Sequence, residues 1–278
     1  MDLGKIGVWT TARAIDPAQF ATAAKLVEDL GYGTFWLGGS PRLPSVRALL
    51  EATESIVVAT SIVNIWTYEP AQLAAEYAEL ARDFRERLLV GIGVGHPEAT
   101  SDYSRPFSAM QAFLDGVDAA RRSIPRERRC LAALAPKMLA LSAERSLGSI
   151  PYFTPVEHTS AVRAQLGAGP LVAPEVAFVL DSDVERARAT AREYAQLYLG
   201  ASNYTNNLLK LGFSQEDIEG GGSDRLIDAV MPHGTAEEIA VSVRAHLEAG
   251  ADHVAVQALG EPGIPRRSWT AMAGALQL

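Results

Sequence analysis

The chain has 278 residues, of which 48% are hydrophobic and 21% charged, a composition typical of a folded protein with a sizeable core. A net charge of -8 and a pI near 5.2 leave no basic field for a phosphate backbone, which argues against nucleic-acid partners and favours small-molecule ligands. The single cysteine, Cys130, excludes an intramolecular disulfide and a multi-cysteine metal site.

The ends of the sequence and its apolar runs bear on location. Asp2 and Lys5 interrupt the apolar residues of the opening stretch MDLGKIGVWT, and no apolar run is long enough to span a bilayer. We therefore expect a cytoplasmic protein with no membrane partner. One cysteine fits a reducing compartment.

Runs of β-branched and aromatic residues alternate with stretches of helical period along the whole chain. The predicted strands are residues 5–10, 33–37, 55–63, 88–94, 130–134, 149–153, 175–180 and 253–258. The predicted helices are residues 17–30, 71–84, 104–122, 136–147, 156–166, 183–199 and 236–249. Eight strands with helical crossovers predict an α/β protein with a (β/α)8 TIM barrel, and the length fits a typical barrel of roughly 250 residues. A doubly wound sheet remains the alternative.

One region departs from this alternation. Residues 202–234 insert two short helical patterns and a glycine-rich turn between predicted strands seven and eight. A lid over the barrel mouth and a helical cover for the barrel wall both fit the pattern. We interpret residues 1–278 as one domain that carries this insert.

The segments after strands two, three and four, GGSPRLPS, NIWTYEP and GHPEATSDYS, are longer than the opposite turns, and in a barrel they form the C-terminal mouth where active sites lie. The fourth predicted strand, LLVGIGVGHP, carries Gly91, Gly93 and Gly95 before His96. These glycines leave one face without side chains, which suits either a flat ligand or a crowded barrel interior. His96 follows the strand end and is our candidate for a catalytic side chain.

Two other strand ends carry candidate ligand contacts. Asn64 and Trp66 emerge after the third strand, where the amide is an unusual choice and the ring suits either stacking or packing. Pro136 marks a helix start after the fifth strand, and Lys137 adds charge to a helix N-terminus that suits a phosphate. We find no metal-ligand pair at helical spacing and no Walker, G-x-S-x-G or G-x-G-x-x-G loop.

Taken in order, several stretches resemble the bacterial luciferase-like monooxygenase superfamily, in its branch of coenzyme F420-dependent oxidoreductases. The resemblance covers nearly the whole chain. It rests on the ordered set LVEDLGYGTFWLGGSP, VVATSIVNIWTYEPAQLAAEYAEL, RERLLVGIGVGHP, LAALAPKMLALSAERSLGSIPYFTPVEHT, NNLLKLGF, GGSDRLIDAV and HLEAGADHVAVQAL.

The resemblance implies a barrel, usually a homodimer, that holds a deazaflavin or flavin at its mouth. It implies a non-prolyl cis peptide at Ser61-Ile62 against the ring, Asn64 at the ring's polar edge, and His96 as the acid/base side chain. The glycines implied for the ring pocket are Gly38, Gly39, Gly93 and Gly95. The residues implied for the phosphate are Ala133, Leu134, Ala135, Pro136 and Lys137.

Two departures from the family pattern limit this transfer. Relatives that oxidise alcohols or sugars carry an acidic residue and a histidine where this chain has Gly39 and Ser40, and many relatives have glycine at Ala135. We expect Ser40, Trp66 and Tyr68 to line the substrate pocket.

The predicted function is hydride transfer between F420 and a small organic substrate. The alternatives are an FMN-dependent monooxygenase and a non-catalytic carrier of the cofactor. A barrel lyase or aldolase ranks low, because neither a Schiff-base lysine nor a metal cage is visible at the strand ends.

Overall fold

A computed structural model describes residues 1–96 and 103–278. Strand and helix alternate along the described residues, as the sequence predicts. The strands are β1 Ile6–Thr11, β2 Thr34–Gly38, β3 Val57–Ser61, β4 Val63–Asn64, β5 Leu88–Gly93, β6 Arg129–Leu131, β7 Gly148–Ser149, β8 Leu171–Val172, β9 Glu175–Phe178 and β10 Val254–Ala258.

The helices cover the outside of the sheet and form the insert. They are α1 Phe20–Asp29, α2 Arg47–Glu51, α3 Pro70–Phe84, α4 Pro106–Ala119, α5 Pro136–Arg145, α6 Val156–Leu166, α7 Val184–Leu199, α8 Ser202–Lys210, α9 Gln215–Ile218, α10 Asp224–Val230, α11 Ala236–Glu248 and α12 Arg266–Leu276. In the described part of the chain, none of these helices combines the length and the apolar character needed to span a bilayer.

All strand pairs are parallel, in the order β8-β7-β6-β5-β3-β2-β1-β10-β9, with β4 paired to β5. Ala173 and Pro174 separate β8 from β9, so these two segments form one barrel position, as do β3 and β4 on either side of Ile62. A parallel bridge from Tyr152, which follows β7, to Glu175 of β9 closes the path. The sheet is therefore a closed barrel with eight strand positions, and the predicted TIM-barrel fold is confirmed.

Alternate residues of the strands pack in two different cores. On β2, Phe35 lies in the layer between barrel and helices, where its ring meets the edge of Trp269, while Trp36 points into the barrel. Inside the barrel, Trp36 donates a hydrogen bond from Nε1 to His253 Nε2 at 3.0 Å. Because both faces are buried, most strand residues are apolar, which explains why the strands appear in the sequence as nearly continuous apolar runs.

The insert forms a core of its own against α7. Leu208, Ile218 and Leu226 pack with small α7 residues such as Ala191 and Ala195. Ion pairs from α7 to α10 hold the outer side, including Arg188 to Asp228 at 2.7 Å. Helices α9 and α10 thus cover the barrel wall, whereas α8 reaches the mouth.

Candidate active site at the barrel mouth

The C-terminal ends of the strands surround a cavity of about 740 Å³. This volume lies within the range of small-molecule and cofactor sites, and its position is the one at which barrel enzymes place their chemistry. Residues 97–102, part of the rim segment predicted after the fourth strand, lie outside the described residues.

The wall formed by β3, β4 and β5 contains the predicted cis peptide, which joins Ser61 to Ile62. Ser61, Ile62 and Asn64 all line the cavity. Asn64 is oriented from behind, because its Oδ1 accepts a hydrogen bond from the backbone N–H of Trp66 at 3.0 Å. Gly95 lies beside it with φ +61°, and a Cβ there would lie 2.9 Å from Asn64 Nδ2. Only glycine suits this position, both for its backbone and for its space.

The other glycines near the mouth make room for protein atoms. A Cβ on Gly91 would lie 2.0 Å from the Thr60 carbonyl oxygen, and one on Gly93 would lie 2.8 Å from Ile62 Cγ1. A Cβ on Gly38 would lie 2.1 Å from the ring of Trp9. The sequence left open two explanations for the glycine-rich strand, a flat ligand and a crowded barrel interior. The crowded interior explains Gly91 and Gly93. Gly38 and Gly93 do not line the cavity; they admit Trp9 and Ile62, which do.

The first turn of α5 forms another wall. Of the residues predicted to hold the phosphate, four line the cavity: Ala133, Leu134, Ala135 and Pro136. Lys137 is exposed and does not line it. Behind this wall, His158 Nε2 lies 3.3 Å from the Leu134 carbonyl oxygen, and burial lowers the pKa of His158. A neutral imidazole that donates to this carbonyl would hold the backbone of the wall in place.

Two cationic side chains that the sequence reasoning did not select line the cavity, Arg13 after β1 and Lys210 at the end of α8. Both are exposed, and neither forms an ion pair with a described residue. Lysine and arginine at a site's rim attract phosphate and carboxylate groups. No sequence pattern marked Lys210, because α8 reaches the mouth only through the tertiary packing of the insert.

The three residues predicted for the substrate pocket lie in different places. Ser40 lines the cavity, next to Gly39, which also lines it. Trp66 and Tyr68 do not, and this corrects the expectation: Trp66 donates from Nε1 to the Val94 carbonyl at 2.7 Å, which turns its ring into the wall.

Tyr68 is buried outside the cavity. Its hydroxyl donates to Glu76 Oε2 at 2.6 Å and accepts from the Leu43 N–H at 2.6 Å. Burial, together with the hydrogen bond to Glu76, raises the pKa of Tyr68 to about 12. The Arg42 guanidinium lies 3.9 Å from the centre of its ring. Tyr68 therefore joins the segment after β2, through Leu43, to α3, through Glu76, behind the mouth and has no surface left for a substrate.

His96 lies at the rim within a cluster of tyrosines. Its ring centre is 5.2 Å from that of Tyr204 and 6.2 Å from that of Tyr198. Tyr152 meets Tyr198 edge to face at 4.8 Å and is stacked on Trp9 at 6.3 Å. These rings give the cavity an aromatic side on which a planar ligand can pack.

A hydrogen-bonded group lies deeper in the same cluster. The Tyr194 hydroxyl is 3.0 Å from both the Tyr198 hydroxyl and Gln257 Oε1, and Tyr152 donates to the same Oε1 at 3.2 Å. Burial raises the pKa of Tyr194 to about 12 and raises those of Tyr152 and Tyr198 as well. All three phenols therefore stay protonated at neutral pH and act as hydrogen-bond donors.

Glu175 is a lining residue that the sequence reasoning missed. It begins β9, is 6% exposed and lies at the cavity base, next to its bridge partner Tyr152. Burial raises the pKa of its carboxyl well above the usual range. The signal was available in the sequence as a single acid at the start of the apolar stretch EVAFVL.

Helix α8 places an amide-rich face over the cavity. Asn203, Asn206 and Asn207 line it together with Tyr204 and Lys210. Asn203 Oδ1 and Asn207 Nδ2 are buried and have no hydrogen-bond partner among the described residues. Of the two interpretations of the insert, its first helix thus fits a cover over the mouth and the rest fits a cover over the wall.

Comparisons with known proteins complete the description. The family model described as luciferase-like monooxygenase matches residues 1–122. No curated protein sequence was found to match the chain. Among solved structures, the fold is similar to an F420-dependent secondary alcohol dehydrogenase in complex with an F420-acetone adduct, with a TM-score of 0.75 at 15% identity over 98% of this chain and 97% of that one.

Two further structures show how far the fold is shared. A coenzyme F420-dependent tetrahydromethanopterin reductase from Methanopyrus kandleri gives a TM-score of 0.68 at 15% identity, over 97% of each chain. The oxygenating constituent of 3,6-diketocamphane monooxygenase from a Pseudomonas putida plasmid, in complex with FMN, gives 0.68 at 12% identity, over 98% of this chain and 96% of that one. At these identities the likeness establishes the fold.

Proposed function

We propose that the protein is an oxidoreductase of the luciferase-like monooxygenase family, whose model matches residues 1–122, and that it binds coenzyme F420 in the cavity at its barrel mouth. The substrate in this proposal is a small organic molecule that exchanges a hydride with the cofactor. The family match over residues 1–122 supports an enzyme of this class.

The observation that carries the proposal is a set of four buried polar atoms in the cavity lining. Trp9 Nε1, Glu175 Oε1, Asn203 Oδ1 and Asn207 Nδ2 have no hydrogen-bond partner among the described residues. Buried polar groups of this kind are costly unless a ligand or water satisfies them. The set contains donors and acceptors, which suits the carbonyl and N–H groups along the edge of a flavin or deazaflavin ring.

The residues present fit such a ring in shape as well. Ser61, Ile62 and Gly95 would support one face, and Asn64, oriented through its Oδ1, would offer Nδ2 to the ring edge. When bound, the ring accepts or donates a hydride, which is chemistry that side chains do not supply. The barrel contributes position and the exclusion of water.

The cofactor's anionic tail would lie along the Ala133–Pro136 wall. The backbone at the start of α5 and the cations Arg13 and Lys210 would hold its phosphate. Lys137, which the sequence motif includes, lies on the same turn, and substitutions described below separate its contribution from that of Lys210. His96, at the rim of the aromatic cluster, would hold or move the proton that accompanies a hydride at the substrate.

FMN is the second candidate for the cofactor, because its ring and phosphate need the same two parts of the cavity. Titration of the purified protein with F420 and with FMN, followed by ligand fluorescence, tests both. We expect F420 to bind more tightly than FMN. Tighter binding of FMN with oxygen consumption on reduction would replace the proposal by a monooxygenase, and binding without turnover of any substrate would indicate a carrier.

Two further parts of the proposal concern the whole protein. The family resemblance implies a homodimer, which analytical ultracentrifugation tests. The cytoplasmic location expected from the sequence stays a prediction, which fractionation of the source cells would check.

A further inference from the structure

Glu175 occupies a place that a folding role does not explain. It is the first residue of β9, where its backbone pairs with Ala255 of β10 and with Tyr152. An apolar residue at position 175 could form the same backbone pairings. Its side chain points into the barrel and lines the cavity. Among the described residues, it is the one buried aspartate or glutamate.

Within the described part of the chain, no side chain forms an ion pair or a hydrogen bond with the carboxyl of Glu175. Oε1 is buried without a hydrogen-bond partner, and no ion pair reaches the residue from the described part of the chain. The titratable groups that face it are phenols from three elements, Tyr152 beside β7, Tyr194 and Tyr198 on α7, and Tyr204 on α8.

A carboxyl in such a place keeps its proton. The burial that raises its pKa is not offset by a cation or a hydrogen-bond donor among the residues that the structure describes. A protonated carboxyl is both a donor and an acceptor, whereas every asparagine oxygen in the lining can only accept. Glu175 thus adds a strong O–H donor at the base of a cavity whose other deep walls are aromatic.

We propose that Glu175 is a ligand-contacting residue, a carboxylic acid that donates a hydrogen bond to an uncharged acceptor, such as a carbonyl oxygen, of the molecule bound in the cavity. The inference rests on the proposed function for the identity of that molecule. Its chemistry, a neutral acceptor against a neutral acid, is set by the absence of any charge partner around Glu175 in the described residues.

The apolar reagent dicyclohexylcarbodiimide tests the inference in the whole protein at pH 7. It reacts with protonated carboxyls: the acid proton moves to a carbodiimide nitrogen, the carboxyl oxygen bonds to the central carbon, and acyl transfer to nitrogen then leaves a stable N-acylurea. The protein gains the mass of one reagent molecule, and peptide mass spectrometry locates it. Glu185, whose side chain is 87% exposed, is the internal control for acids that face water.

We expect labelling at Glu175, no labelling at Glu185, and loss of the Glu175 label when saturating F420 or FMN is bound. The Glu175→Gln variant should lose the label while its circular dichroism spectrum is unchanged. Absence of the label from the wild-type protein would overturn the inference, and so would a label that persists at full strength under bound cofactor. If neither cofactor binds, the proposed function fails, while labelling of the free protein still supports the assignment of Glu175.

Discussion

Replacement of Glu175 by glutamine exchanges a buried acid for a neutral side chain of nearly the same shape, and its effect on stability should depend on pH. In the folded protein the raised pKa keeps the carboxyl protonated, whereas in the unfolded chain a glutamate loses its proton above about pH 4.3. Above that pH the unfolded state of the wild-type protein is favoured by its ionisation. The glutamine variant has no such group.

The magnitude follows from proton linkage. In the window between about pH 4.3 and the pKa of the folded protein, the folded state holds one more proton than the unfolded state, so the wild-type free energy of unfolding falls by about 1.4 kcal/mol per pH unit relative to the variant. Two pH units inside this window give about 2.7 kcal/mol. The contribution of the Glu175 proton to the free energy of unfolding is fully present below about pH 4.3 and is lost as the pH rises to the pKa of Glu175 in the folded protein.

Urea unfolding of both proteins at a series of pH values from 5 upwards measures the difference directly. Both proteins contain all the other titrating groups, so the effects of those groups cancel in the difference between the two free energies of unfolding. Glutamine at Glu185 is the control, because that side chain is 87% exposed and its contact with Arg188 is a surface ion pair at 3.7 Å, and we expect an effect within about 0.5 kcal/mol at every pH. A wild-type to Glu175→Gln difference that stays constant with pH would refute the reasoning that Glu175 is protonated in the fold.

Other substitutions test separate parts of the account. Gly91→Ala should reduce the free energy of unfolding by about 3 kcal/mol or more, since its Cβ would lie 2.0 Å from a carbonyl of the next strand, whereas Gly274→Ala, with open space around it in α12, should raise it by about 0.5 to 1 kcal/mol; equal effects would contradict the packing argument. Lys210→Ala should weaken cofactor binding about tenfold at low salt and Lys137→Ala less, and calorimetric titrations giving the reverse order would place the phosphate at α5 alone. His96→Ala should keep cofactor affinity and lose most turnover, and a variant with full turnover would remove the proposed proton role.

The barrel could be predicted from the sequence because its signals are local. Parallel strands buried on both faces read as apolar runs, and helix ends at glycines mark the tight turns between them. Helices α2 and α12 and strand β8 were missed, since α2 is a helical turn and a half, β8 has two residues, and α12 follows the last predicted strand. Predicted strand ends also ran too far, because residues 132–134 and 150–153 follow the strands at the mouth, where Tyr152 forms an isolated bridge to Glu175.

The site was predictable only where one stretch of sequence carries it. The cis peptide at Ser61-Ile62 and the lining by Asn64 follow the family motif. Trp66 could not be placed, because the direction of its ring depends on a hydrogen bond to the Val94 carbonyl on a different strand. Glu175 and Lys210 come to the cavity from β9 and the insert, and such long-range convergence leaves no periodic trace.

The central claim is that the cavity at the barrel mouth holds a flavin-type ring and its phosphorylated tail. Ala135, which directly precedes α5, is exposed and lines this cavity, while Ala140 is exposed within α5 and does not line it, so tryptophan at these two positions gives a blocked cavity and a matched control. The most direct measurement is the equilibrium binding of F420 and FMN to the wild-type, Ala135→Trp and Ala140→Trp proteins. The account predicts micromolar or tighter binding of at least one cofactor to the wild-type and Ala140→Trp proteins and its loss in Ala135→Trp. Binding of neither cofactor to the wild-type protein, or equal binding to all three, would contradict it.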